Sequence, residues 1–173
     1  ALFFVNLILL FEQALNGLQF GVMLFLMAAG LTLVFGIMNL VNLAHGSLYM
    51  VGAYLSVALF NLTGSYPLAV LLALAGTLAV GMIVELVALR TLYERDHLDQ
   101  VLATFGLILF FNELIAIVWG RAALFASVPS FLSGHIDLFT GSSYPLYRAV
   151  IILVGLITAI VLWYVVTRTR LGM

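Results

Sequence analysis

A chain of 173 residues that is 65% hydrophobic and only 8% charged does not fit a soluble domain, for which about 45–50% apolar and about 25% charged residues are usual. Its formal net charge of −1 gives no electrostatic footprint for nucleic acid. Cysteine is absent, which excludes disulfides, thiolate metal sites and a cysteine nucleophile. Lysine is absent too, so a phosphate-binding loop of the Gly-Lys-Ser/Thr type is excluded.

Mean hydropathy is +1.28, and the 72 residues from Gln13 to Val84 contain no Asp, Glu, Lys or Arg. A bilayer core about 30 Å thick takes roughly 20 helical residues to cross, so that run alone holds two or three spans. Transmembrane barrel strands alternate apolar and polar residues, whereas these runs are apolar all round. The expected fold is an all-α, polytopic transmembrane helical bundle with the lipid bilayer as its main solvent.

In chain order, Leu2–Phe11 is a short apolar segment, without the basic flank and cleavage pattern of a secretory signal. The first span is Gly17–Met38. Asn39-Leu-Val-Asn42 then interrupts the apolar pattern, giving an interrupted helix near Asn39–Ser47, and a second apolar stretch follows from about Ser47 to Leu62. Asn61–Pro67 is a turn by composition, with Pro67 suited to a helix start. Spans follow at Leu68–Leu89, Gln100–Trp119 and Pro145–Thr167, joined by a charged link, Arg90–Asp99, and a longer Ser-, Gly- and Pro-rich connection, Gly120–Tyr144. About five spans result. Basic residues favour the cytoplasmic side, so the clustered arginines place Arg90–Asp99 and Arg168–Met173 inside and Gly120–Tyr144 outside. Small residues at Ala69, Ala73, Thr77 and Gly81 form a ladder on one helix face, and Gly17 and Gly21 form a GxxxG pair; such faces let membrane helices approach closely.

The stretch from Gly36 to Ser47 holds the most informative polar residues. Asn39, Asn42 and His45 recur every three residues, which on a helix gathers them along one flank, and Gly46 and Ser47 follow directly. Unpaired polar groups in hydrocarbon cost several kcal/mol, so these face protein, water or a cavity. Interrupted helices mark substrate regions in many transporters. A polar turn at the membrane surface fits the same residues, and both readings stand at this level. Gly46 is expected to permit a close backbone approach or an unusual dihedral. Glu113, inside the Gln100–Trp119 span, is either pore-facing or an anchor reaching the interface near Trp119. Glu85 reads as a surface anchor, and His97 and His135 as solvated. No HExxH spacing for zinc and no catalytic constellation is present, so no metal, cofactor or catalytic residue is expected.

The ordered set Gly30-Leu-Thr-Leu-Val-Phe-Gly36, Asn39–Asn42, Leu43-Ala-His-Gly46, Met50-Val-Gly-Ala-Tyr54, Leu102-Ala-Thr-Phe-Gly-Leu107, Trp119-Gly120, Tyr144-Pro145, Tyr147-Arg148 and Arg168-Thr-Arg-Leu-Gly-Met173 resembles the permease subunits of branched-chain amino acid ABC importers, the LivH type. That resemblance implies a multi-pass protein of a bacterial inner membrane. It also implies partners: a second permease subunit, cytoplasmic ATPase subunits that hydrolyse the ATP, and an external solute-binding protein. The family chain continues past the Arg-Leu-Gly motif, so residues 1–173 are expected to be the amino-terminal part of one permease transmembrane domain. The pathway residues expected are Asn39, Asn42, His45, Gly46, Ser47 and Glu113. A urea or short-amide permease of the same architecture and a non-transporting membrane scaffold are the alternatives.

Overall fold

The computed structural model describes residues 2–38, 40–122, 124–125, 127–139 and 142–168. Five helices follow one another: α1 (Leu2–Met38), α2 (His45–Thr63), α3 (Tyr66–Val87), α4 (His97–Trp119) and α5 (Leu146–Arg168). Each is long and apolar enough to cross a membrane, and the chain is a multi-pass membrane protein. The short segment expected at Leu2–Phe11 and the span expected from Gly17 are one continuous helix, because nothing between them, Gly17 included, breaks the α1 ladder. The interruption after α1 is real. From Leu40 to Ala44 the described chain is non-helical.

Local chemistry explains the helix ends. Gly64 sits at φ 65° after α2, and its N–H donates to the Phe60 carbonyl at 2.9 Å, a left-handed cap that glycine adopts without a Cβ clash. Ser65 then precedes α3, and Pro67 falls in the first turn, where its missing N–H costs no helix bond. A short 3-10 turn, Leu89–Leu92, leads out of α3 into the charged link.

The chain forms two compact units, with the boundary inside α1: Gly30–Ser127, and Ala1–Ala29 with Val128–Met173. In the first, Leu40, Val51, Val84, Leu89, Phe111 and Ile115 make one buried cluster. Leu40, from the non-helical break, is fully buried. The expected small-residue ladder is the face of α3 turned to α2. Ala69 and Ala73 are buried, a Cβ added at Gly52 of α2 would stand 3.0 Å from the Thr77 hydroxyl, and one at Gly81 would touch Leu48 at 4.0 Å. Tyr54 of α2 and Trp119 of α4 pack with tilted rings, their centroids 5.6 Å apart.

In the second unit the Gly120–Tyr144 connection contains a β-hairpin that composition alone did not suggest, β1 (His135–Phe139) and β2 (Ser142–Pro145). The strands are antiparallel, with Ile136 opposite Tyr144 and Asp137 opposite Ser143. The Leu146 N–H, first in α5, donates to the Gly134 carbonyl at 2.9 Å, satisfying one of the donors a helix start leaves open. The Arg148 guanidinium donates to Asn16 Oδ1 at 2.7 Å. Close approach of helices falls at Gly155, where a Cβ would overlap Val22, and not at the GxxxG pair, since a Cβ at Gly17 or Gly21 would meet nothing within 4 Å.

Candidate functional site

Within the unit Gly30–Ser127, α2 and α3 form an antiparallel hairpin with an open groove of about 910 Å³ between them. Its walls are mostly aliphatic. Asn42, His45, Tyr49, Ser56, Thr77 and Glu85 supply the polar groups. Asn42 and His45 stand at the start of α2 and Glu85 and Leu89 at the end of α3, so the break and the exit from α3 share one end of the groove.

Two of the expected residues reach this place together, though not by helical phase. Asn42 lies in the break and is buried at 3% exposure, and its Oδ1 accepts the Ala44 N–H at 3.0 Å. This is the side-chain turn that asparagine forms with backbone two residues on. It turns the chain into α2, whose first residue is His45. The imidazole packs on Gly30 of α1, where a Cβ would stand 2.7 Å from His45 Nε2. The close approach expected at Gly46 is therefore at Gly30. A Cβ at Gly46 would meet nothing within 4 Å, and among the described residues the positive-φ glycines are Gly64 and Gly120. Ser47 is buried in the first turn of α2 and does not line the groove. Asn39 lies outside the described residues.

Glu113 is elsewhere. Its side chain is 67% exposed and pairs with Arg121, beyond the end of α4, at 3.6 Å, as an anchor at a helix end would. Glu85 accepts a hydrogen bond from the Tyr93 hydroxyl at 2.5 Å. Burial first, and then this bond to a carboxylate, push the Tyr93 phenol up to about 12. His97 is not a loop residue but the first residue of α4.

Sequence reasoning passed over the two groups that hold the break in place. Gln100 and Thr104 are 2% and 0% exposed, on adjacent turns of α4. Gln100 Oε1 accepts the Val41 N–H at 3.2 Å, and its amide donates to the Leu92 and Arg95 carbonyls, each at 3.2 Å. The Thr104 hydroxyl donates to the Gln100 carbonyl at 2.7 Å and lies 3.4 Å from the Val41 carbonyl. A non-helical segment leaves backbone groups without helix partners that must be satisfied elsewhere, and these side chains supply part of that. The available signal was the pair itself, two polar residues at i and i+4 on one helix face within the span expected at Gln100–Trp119.

Residues 13–173 match the family described as branched-chain amino acid transport system / permease component. Among curated proteins, the chain is 29% identical over 174 residues to the high-affinity branched-chain amino acid transport system permease protein BraD of Pseudomonas aeruginosa. It is 28% identical over 176 residues to LivH of Escherichia coli K12 and 26% identical over 175 residues to LivH of Salmonella typhimurium, both of which carry the same description. Each of these matches covers 93% of this chain and 56% of the relative, so the chain spans about half the length of the curated relatives it matches. No solved structure matches.

Proposed function

Since the chain belongs to the family of branched-chain amino acid transport permease components, we propose that it serves as the membrane permease subunit of an ATP-driven, binding-protein-dependent importer of branched-chain amino acids. The match across residues 13–173 carries this reading. In it, residues 1–173 are the amino-terminal part of one permease transmembrane domain in a bacterial inner membrane. A second permease subunit completes the path, separate cytoplasmic ATPase subunits supply the energy, and an external solute-binding protein delivers the amino acid. The relatives are named as permease proteins of branched-chain amino acid transport systems, and this reading assigns ATP hydrolysis to the separate ATPase subunits.

The α2–α3 groove is the part of the path that this chain contributes. Its aliphatic walls suit a branched side chain, and Asn42 and His45 at one end suit a polar backbone. Polar groups that stay in a membrane without facing lipid belong to a wet cavity or a protein contact. The break ahead of α2 interrupts the helical pattern at one end of the groove, as interrupted helices do beside substrate sites in transporters.

The test is uptake of labelled leucine by cells lacking their own leucine importers, with this permease expressed beside its ATPase and binding-protein partners. Uptake that requires this chain and is competed by isoleucine and valine is the expected result. Uptake competed by urea or short amides and indifferent to valine would overturn the substrate assignment.

A further inference from the structure

Gln100 is placed to do more than close a helix turn. It is 2% exposed, and both polar atoms of its amide are engaged. On one side Oε1 takes the Val41 N–H from the break; on the other, Nε2 donates to the Leu92 and Arg95 carbonyls of the charged link. His97 Nδ1 lies 3.3 Å from the same Oε1, within reach when that nitrogen carries its proton. The amide orientation is fixed by chemistry, because the flipped form would set an NH2 against the Val41 N–H and an oxygen against two carbonyls. The bonded groups are far apart in sequence: Val41 is 59 positions from Gln100. One side chain thus fastens the segment that carries Asn42 and His45 into the groove to the connection between α3 and α4.

We infer that Gln100 is a positioning residue of the transport path, tying the break to the charged link so that the two move as one body. This rests on the permease reading above. If the link shifts when the importer cycles, the break shifts with it, and the groove end bearing Asn42 and His45 is remade at each turn of the cycle. Coupling of this kind needs a physical connection with defined partners, and the three backbone bonds to one buried amide are that connection.

The test compares ATP hydrolysed with leucine taken up, in the assembled importer in membranes. Gln100→Met keeps the side-chain volume and removes every bond. Gln100→Glu keeps the acceptor for the Val41 N–H and loses both donors to the link. Both should raise the ATP consumed per leucine transported by roughly five-fold or more, the scale on which losing a buried hydrogen bond shifts an equilibrium, at near-normal membrane abundance. His97→Ala, which leaves the three backbone bonds in place, should keep the ratio within about two-fold. A residue with only a packing role would lower uptake and hydrolysis together and leave the ratio unchanged, which would overturn the inference. Loss of both Gln100 variants from the membrane would overturn it too, making Gln100 a folding determinant. A wild-type importer with no ATP-dependent leucine uptake would instead sink the permease reading itself.

Discussion

The two units of this chain treat buried polar groups differently. In Gly30–Ser127, the buried Asn42, Gln100 and Thr104 form bonds that hold a non-helical segment against the start of α4. In the unit of Ala1–Ala29 with Val128–Met173, the Tyr144 side chain is buried, yet its hydroxyl is the buried side-chain polar atom left without a partner among the described residues. The first unit uses buried polarity to fix an irregular backbone. The second joins α1 to α5 by steric fit, with Val22 seated on Gly155, and by the half-buried bond from Arg148 to Asn16. Apolar surface left facing lipid carries little penalty, so hydropathy decides where the helices are. Polar side chains decide where the chain departs from them.

Four substitutions test that contrast. The largest effect is expected at Gly30, outside the expected pathway residues. Gly30→Leu should displace the imidazole of His45, which a Cβ there would approach at 2.7 Å, and cut leucine uptake roughly ten-fold or more, as small misplacements near a working site do. Gly46→Ala adds a Cβ in open space at a helical position that favours alanine, and uptake should stay within about two-fold. Equal losses from the two changes would show that the break is merely a delicate turn.

Gly155→Ala probes the other unit. Its Cβ would collide with Val22, and overpacking of this kind costs about 1–3 kcal/mol. A lower melting temperature of the purified protein in detergent is expected, with the transport rate per surviving molecule unchanged. An unchanged melting temperature would mean that α1 and α5 yield easily at that contact.

The smallest effect is expected for Tyr144→Phe. Removing a buried hydroxyl that has no hydrogen-bond partner among the described residues relieves a desolvation cost, of order 1–3 kcal/mol when fully unmet. The melting temperature should hold or rise slightly. A clear fall would show that the hydroxyl has a partner in the assembled protein, and the difference between the units would shrink.

The spans were legible in the sequence because each is a long apolar run, and Pro67 and Gly64 mark the α2–α3 turn by backbone chemistry that hardly depends on context. The ladder Ala69, Ala73, Thr77 and Gly81 was legible for the same reason, since helical spacing alone puts those residues on one face. The hairpin was not, because three of the four residues of its second strand, Ser142–Pro145, are turn formers and only Tyr144 favours a strand. The polar–apolar alternation of His135-Ile-Asp-Leu was its one period-two signal. Around the break, the sequence showed that polar residues had to be accommodated but not by what. Asn42 bonds its own neighbourhood, whereas Gln100 reaches Val41 across 59 positions. The glycine that mattered to His45 was the one facing it from α1, and not the one beside it in sequence.

The length of α1 has a consequence for the lipid around it. The candidate span within it, Leu7–Gly36, covers 30 residues, about 45 Å at about 1.5 Å per residue, against a hydrocarbon layer about 30 Å thick. Glu12, Gln13 and Asn16 stand in its first third, and a carboxylate is costly in hydrocarbon. The part that matches the layer therefore starts near Gly17, and the turns before it reach the lipid headgroups.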